Sequence, residues 1–426
     1  MIPPEPPMID SESPSLLALL EQMLLRAASD LHLKEACPPA LRVDGHLVPV
    51  GGIAPLSRRA IEALITEMTT QEQRGVLALT GDLEFAFSVA GVSRYRASLV
   101  RQRGQLGAVL RRIPVEIPDI DRLGLPPITK KLCELPRGLV LVTGPTGSGK
   151  STTLASMVDY LNREHTGHIM TMEDPIEFVH RDRNCFVTQR EIGSDCESFG
   201  LALRRALRHD PDVIMIGELR DRETISLALT AAETGHLVLA TVHTPGAIQT
   251  VDRILDAFPP EERTEARGRV AACLQGVLSQ TLVPRTTGGR VAVVEVMVST
   301  EAVRSCIREG KTHQIHSQIQ TGMQHGMQTH ATALADLVHK SLITEEVAIQ
   351  QAANLDELKN QLSHGPAYLR STARPAPAAA APPRRAPPPA PVEPLPPPPV
   401  APAPAPASVI PRSPGVAELL EKLRRA

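Results

Sequence analysis

The 426-residue chain contains no tryptophan, and aromatic residues make up only 2% of it. So few aromatic rings leave little material for stacking nucleic acid bases. Lysine and arginine together number 45 against 47 aspartates and glutamates, so the chain also lacks the basic surplus that binds a phosphate backbone. The composition therefore argues against a helicase, and no nucleic acid partner is expected.

Other absences bear on where the protein acts. The six cysteines include no C-x-x-C pair, which is typical of reduced, mostly buried thiols and argues against a zinc ribbon or a disulfide framework. The amino terminus, MIPPEPPMIDSES, is acidic and proline-rich, unlike a signal peptide. No apolar run is long enough to span a bilayer. These features predict a cytoplasmic protein that reaches a membrane only peripherally, through partners.

Changes in composition and hydrophobic pattern divide the chain, which is too long for one ordinary domain. The first part mixes helical and strand patterns, with Ser15 placed to cap the first helix and Asp44-Gly45 typical of a hairpin turn. The next part alternates strands and helices as a parallel sheet does, and the last part is too rich in proline and alanine to bury a core. We predict an α/β protein with a disordered lead (1–14), a small α+β domain (15–112), a linker (113–125), an α/β domain (126–370), a disordered Pro/Ala-rich spacer (371–414) and a short amphipathic helix (415–426).

The stretch GPTGSGKS, at residues 144–151, fits the G-x-x-x-x-G-K-[ST] pattern of a phosphate-binding loop and follows an apolar, strand-like run. Its glycines allow backbone N–H groups to point at phosphate oxygens, and the following helix adds the positive end of its dipole. We expect Lys150 to reach the β- and γ-phosphates of ATP, Ser151 to bind Mg²⁺, and Thr152 to cap the helix. The predicted nucleotide-binding residues are Gly144, Pro145, Thr146, Gly147, Ser148, Gly149, Lys150, Ser151 and Thr152.

Acidic residues follow two further apolar runs. One run ends in Gly217-Glu218, and Glu218 is predicted to polarise the attacking water or to bind Mg²⁺, partly through water. The other is followed by Glu173, Asp174 and Glu177, whose negative charges repel one another unless a cation or an arginine lies nearby. That repulsion argues for a metal or an arginine partner. The alternatives are a solvated strand end for Glu218 and an acidic surface turn for the others.

In sequence order, GPTGSGKSTTL, TMEDPIEFVH, DPDVIMIGELRDRETI and AAETGHLVLATVHT resemble the Walker A, Asp-box, Walker B and His-box motifs of the secretion ATPase superfamily. The resemblance covers roughly residues 15–365 and is nearest to the PilT family of type IV pilus retraction ATPases, which drive twitching motility. It implies a RecA-like P-loop ATPase domain preceded by a PAS-like domain. It also implies a homo-hexamer that hydrolyses ATP with Mg²⁺ beneath an inner-membrane pilus platform protein.

The resemblance further implies roles for individual residues. Glu177 and Glu218 would be catalytic, and His236 and His243 would sense the nucleotide, although two histidines flanking an apolar strand are by themselves more typical of a satisfied polar core. Arginines from the small domain would reach the phosphates. The strand that carries them reads RYRAS where RFRVN is usual, so the choice among Arg94, Arg96 and Arg111 stays open, with a surface role as the alternative for each. The segment 302–309 would have a function specific to pilus retraction. Its residues that match the family pattern are Arg304, Ile307, Arg308 and Glu309.

The predicted function is therefore a pilus retraction motor at the pilus base. Departures from the family pattern in segment 302–309 leave room for an accessory retraction paralogue (PilU-like), and a paralogous retraction ATPase is also a candidate partner. A pilus-assembly or type II secretion ATPase would usually carry a longer amino-terminal extension and a four-cysteine zinc motif, and neither is visible. A non-motor binding module would bind ATP without turning it over.

Overall fold

The computed structural model describes residues 14–43, 45–89, 93–113, 116–363 and 409–410. The chain divides into two compact units: unit 1 comprises residues 1–115 and 376–426, and unit 2 comprises residues 116–375. Almost all of the predicted lead and spacer, and the whole predicted terminal helix, lie outside the described residues.

Unit 1 contains an antiparallel sheet that packs one face against helices. Ser15 caps the first helix as predicted, because its Oγ accepts a hydrogen bond from the Ala18 amide at 3.3 Å. The predicted hairpin is also confirmed: Gly45 takes a φ of +84°, while Asp44 lies outside the described residues. The elements are α1 (Leu16–Leu25), β1 (Asp30–Lys34), β2 (Ala40–Val43), β3 (His46–Pro49), α2 (Arg58–Met68), α3 (Gln71–Thr80), β4 (Asp82–Val89), β5 (Ser93–Gln102) and β6 (Gln105–Ile113).

Alternation along the strands of unit 1 separates an apolar face from a polar one. The apolar face forms the core with α1 and α2, through buried residues such as Leu20, Leu31, Ile61, Tyr95 and Leu110. The strand order is β4-β5-β6-β1-β2-β3. The predicted α+β composition is therefore confirmed, while the likeness to PAS domains stays a prediction.

Unit 2 is built on a central parallel sheet in the order β13-β12-β7-β11-β10-β8-β9, with β13 antiparallel on the edge. Three of its strands, β7, β10 and β11, are buried along their whole length, which matches their continuous apolar sequences. The predicted α/β class is confirmed. The elements are α4 (Ile128–Cys133), β7 (Gly138–Thr143), α5 (Lys150–Glu164), β8 (Gly167–Glu173), β9 (Cys185–Glu191), α6 (Phe199–Ala206), β10 (Val213–Ile216), α7 (Arg222–Glu233), β11 (Leu237–Val242), α8 (Ala247–Asp256), α9 (Arg263–Cys273), β12 (Leu274–Pro284), β13 (Arg290–Val298), α10 (Glu301–Arg308), α11 (Ile315–Thr321), α12 (His330–His339), α13 (Glu345–Gln351) and α14 (Leu355–Ser363).

Two segments differ from the sequence-based expectations. In the predicted disordered spacer, a last short strand, β14 (Val409–Ile410), pairs parallel with Ser88 and Val89 of β4. Two adjacent β-branched residues suit such an edge position. In the predicted linker, Ile120 and Leu125 are buried in the core of unit 2. The prolines of that segment interrupt helices and strands without preventing its apolar side chains from packing.

Two predicted absences concern thiols and membrane spans. All six cysteines are free, and Cys133, Cys185, Cys273 and Cys306 are buried, in agreement with the prediction of mostly buried thiols. Across the described ranges, every helix is too short or too polar to span a bilayer.

Replacing Ile120 with alanine should destabilise unit 2 by about 2–5 kcal/mol, because the truncation leaves a cavity in a packed core. In calorimetry of the full chain, ATP should raise the melting temperature of unit 2, which identifies the unfolding transition of that unit. Ile120→Ala should lower the melting temperature of the same transition. Arg122→Ala is the control, since that side chain is 73% exposed. If Ile120→Ala melts like the wild type, residue 120 does not belong to the core of unit 2.

Candidate active site

The phosphate-binding loop runs from the end of β7 to the start of α5. Gly144, Gly147 and Gly149 adopt φ values of +142°, +79° and +89°, which residues with side chains rarely adopt. At Gly144 a Cβ atom would lie 2.2 Å from the Gln280 carbonyl oxygen, so only glycine fits. Helix α5 begins at Lys150 with Gly149 as its N-cap and without a side-chain cap. The loop and helix start thus offer backbone amides to an anion, as phosphate binding requires.

The prediction that Thr152 caps this helix is wrong. The left-handed conformation of Gly149 starts the helix at Lys150, which places Thr152 inside the first turn. A residue with helical backbone angles cannot occupy the N-cap position.

Lys150 lies over the loop that precedes it. Its Nζ donates hydrogen bonds to the carbonyl oxygens of Gly144 at 2.9 Å and Pro145 at 3.0 Å. Burial lowers the pKa of the ammonium group, and the nearby carboxylate of Glu218 opposes that effect. The lysine charge is therefore held beside the loop, where a phosphate would bind.

Gln280 holds the loop from β12, and the sequence reasoning missed it. Its Oε1 accepts a hydrogen bond from Thr153 Oγ1 at 2.9 Å, and its Nε2 donates to the Ser148 carbonyl at 2.6 Å. The side chain is only 2% exposed. The sequence carries no clear signal for this role, because β12 also contains Gln275, Ser279 and Thr281, although a buried amide needs specific partners.

Glu218 and His243 meet beside the loop, at the carboxyl ends of neighbouring parallel strands. The Glu218 carboxylate lies 3.5 Å from His243 Nε2 and 2.8 Å from Arg220 Nη2. The other ring nitrogen of His243, Nδ1, lies 3.5 Å from Thr146 Oγ1 of the loop. The structure therefore brings together the predicted Glu218, His243 and Thr146, and it adds Arg220, which the sequence reasoning missed.

His236 lies at the opposite end of the same strand. Leu237 pairs with Gly138 at the start of β7, whereas Val242 pairs with Thr143 at its end. At about 3.3 Å per residue, the two histidines are on the order of 20 Å apart. The His236 ring contacts the Ala231 carbonyl at 2.9 Å, at the end of α7. Within one chain the structure does not bring His236 to the loop, and its sensing role stays a prediction.

The acidic cluster after β8 is stabilised in two ways. Glu173 is buried, and it accepts hydrogen bonds from Thr171 Oγ1 at 2.7 Å and Gln189 Nε2 at 3.0 Å. Burial raises the pKa of its carboxyl group, and the hydrogen bonds from Thr171 and Gln189 oppose that rise. The pKa of Arg220 is raised by its hydrogen bond to Glu218 and further by exposed Asp174. Arg220 and Asp174 thus attract one another electrostatically, whereas the side-chain hydrogen bonds to Glu173 come from neutral donors.

Glu177 occupies the turn after the cis Asp174-Pro175 bond. It is half-buried, and its amide donates to the Glu173 carboxylate at 3.4 Å. Its catalytic role stays a prediction. Ser151, the predicted magnesium ligand, is exposed in the first turn of α5, so its hydroxyl is accessible to a ligand.

The candidate arginines of unit 1 share the polar face of its sheet. Arg94 and Arg96 are two residues apart on β5, and Arg111 pairs with Arg96 across β6. Arg111 Nε lies 2.8 Å from buried Asp30, and Arg96 Nη2 lies 3.0 Å from Glu84. Like charges directly opposite one another are unfavourable, so these carboxylates stabilise the pair. Arg94 Nη1 lies 3.4 Å from Ser88 Oγ.

Asp30 stays ionised despite its burial. Burial alone would raise its pKa, but hydrogen bonds from Ser29 and Arg111 outweigh that effect and hold the pKa below its usual value. Arg42 lies 3.8 Å from the same carboxylate. The buried carboxylate of Asp30 therefore fixes the positions of Arg42 and Arg111 on this face.

In the predicted retraction segment, α10, the four matching residues have different surroundings. Arg304 donates to the Ala272 carbonyl at 2.8 Å and to Gln275 Oε1 at 3.0 Å, which satisfies the end of α9. Ile307 is fully buried in the core of unit 2. Arg308 pairs with Glu301, and Glu309 with Lys311, on the surface. Of the four matching residues, Arg308 and Glu309 therefore present charged groups to solvent, whereas Arg304 and Ile307 pack against the protein.

A glycine-rich loop after a central parallel strand, with an acid and a histidine from neighbouring strand ends, defines a P-loop nucleotide-binding site of the RecA-like class. The family described as "Type II/IV secretion system protein" matches residues 12–349, and the chain belongs to that family.

Relatives refine this assignment. The chain is 49% identical over 327 residues to "Type IV pilus retractation ATPase PilT" of Pseudomonas aeruginosa, covering 77% of this chain and 95% of that protein. It is 41% identical to "Type IV pilus ATPase PilU" of the same organism, covering 82% and 91%. The solved structure "Crystal Structure of the Pilus Retraction Motor PilT and Bound ADP" aligns with a TM-score of 0.77 and 43% identity, covering 81% of this chain and 99% of that one.

Lys150→Ala should lose both ATP binding and turnover, because the ammonium charge that faces the phosphates is removed. Glu218→Gln should still bind ATP but turn it over about 10²–10⁴-fold more slowly, the usual loss for a positioned base. Equilibrium binding and steady-state hydrolysis separate these effects. Glu345→Gln is the control, since it alters an exposed carboxylate on α13. Near-normal hydrolysis by Glu218→Gln would remove Glu218 from the catalytic role.

Proposed function

We propose that this chain is an ATP-hydrolysing motor that retracts type IV pili. The observation that carries the proposal is the convergence of the loop, Lys150, Glu218 and His243, in a chain with the family membership described above. The higher identity to the relative named for retraction, 49% against 41% for PilU, favours the motor over the accessory paralogue.

The chain's own groups divide the work of hydrolysis. The loop amides and Lys150 hold the phosphates and neutralise their charge. Glu218 orients and polarises the attacking water, while His243 links that carboxylate to Thr146 of the loop. Mg²⁺, when bound, would neutralise phosphate charge and would be held by Ser151 and, partly through water, by Glu218. The accessible Ser151 hydroxyl and the glycine-only turn at Gly144 fit such a complex.

Unit 1 carries arginines that are candidates for a contact with the phosphates. Arg94, Arg96 and Arg111 share one face of its sheet, where Asp30 orders Arg111 and Glu84 orders Arg96. We infer that one or more of these arginines approach the phosphates of a shared site, within the chain or between copies in a hexameric ring. Release of that contact after hydrolysis would let the small domain rotate.

The proposed ring would bind a pilus platform protein at the cytoplasmic face of the inner membrane and would transmit its domain rotations to that protein. A paralogous retraction ATPase is a further proposed partner. The exposed ion pairs of Arg308 and Glu309 on α10 are the proposed retraction-specific surface, whereas Arg304 and Ile307 support it from within.

Arg96→Ala should bind ATP almost as the wild type does but hydrolyse it more slowly, because the arginine acts on the phosphates from another domain. Specific activity of the wild type should rise with protein concentration as copies associate. Arg58→Ala is the control, since it removes an exposed arginine of the same unit that pairs with Glu62 on its own helix. Full, concentration-independent turnover by a monomer would contradict a site shared between copies.

Deleting the gene should leave cells with surface pili that no longer shorten, and fluorescence microscopy of labelled pili can follow this directly. Complementation with the wild type should restore shortening, and Glu218→Gln should not. Loss of the pili themselves would indicate an assembly ATPase. Purified protein that binds ATP without turnover would indicate a non-motor binding module.

A further inference from the structure

Glu295, on β13, lies between the beginnings of two helices. Its Oε1 accepts a hydrogen bond from the amide of Ala247, the first residue of α8, at 2.8 Å. The amide of His330, the first residue of α12, faces the same carboxylate and helps to lower its pKa. A helix start carries unpaired amides and a partial positive charge, so a carboxylate there is stabilising. Glu295 is therefore a clamp on two helix starts at once.

The clamp at α8 replaces a missing cap. The N-cap of α8 is Gly246, which has no side chain to accept a hydrogen bond, and Ala247 is completely buried. Without Glu295, the Ala247 amide would be a buried donor with no acceptor, which is costly. Burial raises the pKa of Glu295, and the hydrogen bond from Ala247 opposes that rise.

Helix α8 begins directly after the loop that carries His243. A second set of contacts fixes the same loop from its other side. Thr244 Oγ1 lies 2.7 Å from Thr250 Oγ1, and the Thr250 hydroxyl lies 3.4 Å from Thr143 at the end of β7. The loop is thus tied to the strand that precedes the phosphate-binding loop and, through Ala247, to β13.

The other side of the clamp belongs to the carboxy-terminal helices. Thr329, the N-cap of α12, donates to Glu357 at 2.8 Å, and His316 lies 3.4 Å from the same carboxylate. Together with the His330 amide, these contacts fix α12 beside the Glu295 carboxylate. A shift of α12 would therefore move the Glu295 carboxylate, which also holds the start of α8.

We propose that Glu295 is a positioning residue for ATP hydrolysis: by clamping the starts of α8 and α12, it holds the loop that places His243 against Glu218. The inference rests on the proposed function, because it assigns Glu295 a part in that reaction. Glutamine at this position offers one acceptor instead of two and turns an N–H group toward amide donors. The amides of Ala247 and His330 then share one oxygen acceptor, which weakens the attachment of the loop to β13.

Steady-state ATP hydrolysis by the full chain, compared across variants, tests this role. Glu295→Gln should lower kcat by up to about 100-fold, the loss that a small displacement of a catalytic group can cause. KM for ATP should change little, because the loop around Lys150 is held separately. Adding Glu295→Gln to His243→Ala should produce little further loss, since residues that act through one another are not additive. Glu345→Gln, an exposed first-turn carboxylate on another helix, is the control and should match the wild type.

Hydrogen exchange supplies a readout independent of turnover. The peptide covering residues 243–256 should exchange faster in Glu295→Gln, because the uncharged amide oxygen is a weaker acceptor for the Ala247 amide than the carboxylate. Glu295→Asp keeps two oxygens and should fall between that variant and the wild type, and retained ATP binding shows that each variant is folded.

Multiplicative losses in the double variant would overturn the proposal, and so would unchanged exchange in Glu295→Gln. Normal turnover by His243→Ala, in a preparation whose wild type hydrolyses ATP, would also overturn it while leaving the motor function intact. A folded wild type that binds ATP without hydrolysing it would instead refute the proposed function, and with it the part of Glu295 in hydrolysis.

Discussion

The site depends on one steric constraint, which is the close approach of the backbone at Gly144 to the carbonyl of Gln280. With 2.2 Å between that oxygen and the position of a Cβ, no other residue fits the turn. The side chain of Gln280 then fixes Thr153 and Ser148 on the two sides of the loop. Because the protein's own contacts hold the turn in place, Lys150 and the start of α5 are positioned for an anion, which limits the entropy lost on binding.

Charge is divided unevenly between the two units. Near the loop, unit 2 presents Lys150 and Arg220, and the carboxylate of Glu218 already pairs with Arg220. The polar face of unit 1 carries several arginines, of which Arg111 is ordered by Asp30 and Arg96 by Glu84. Under the proposed function, an arginine of this face would complete the charge around the phosphates, and loss of that contact after hydrolysis would couple the reaction to movement.

Features set by nearby residues could be predicted from the sequence. The phosphate-binding loop follows from the conformations of its own glycines, and the end of a buried strand placed Glu218 at the edge of the sheet that carries the loop, whereas the role predicted for His243 came from the family resemblance. The same rule could not place His236, because the length of β11 separates the two histidines. Gln280 and Glu295 were missed because each contacts residues far away in the sequence, such as Thr153 and Ala247, and a polar residue within a strand gives no local sign of such distant partners. For Ile120, proline content indicated the lack of regular structure correctly but carried no information about burial.

A structure of the assembled wild type with a non-hydrolysable ATP analogue and Mg²⁺ tests the central claim most directly. The account predicts that Lys150 Nζ moves from the carbonyls of Gly144 and Pro145 to the phosphates. It also predicts that Arg94, Arg96 or Arg111, from the same or a neighbouring copy, lies about 2.7–2.9 Å from a phosphate oxygen. If Arg111 and Arg96 keep their contacts with Asp30 and Glu84 and none of the three arginines contacts a phosphate, the claim of a shared site is contradicted.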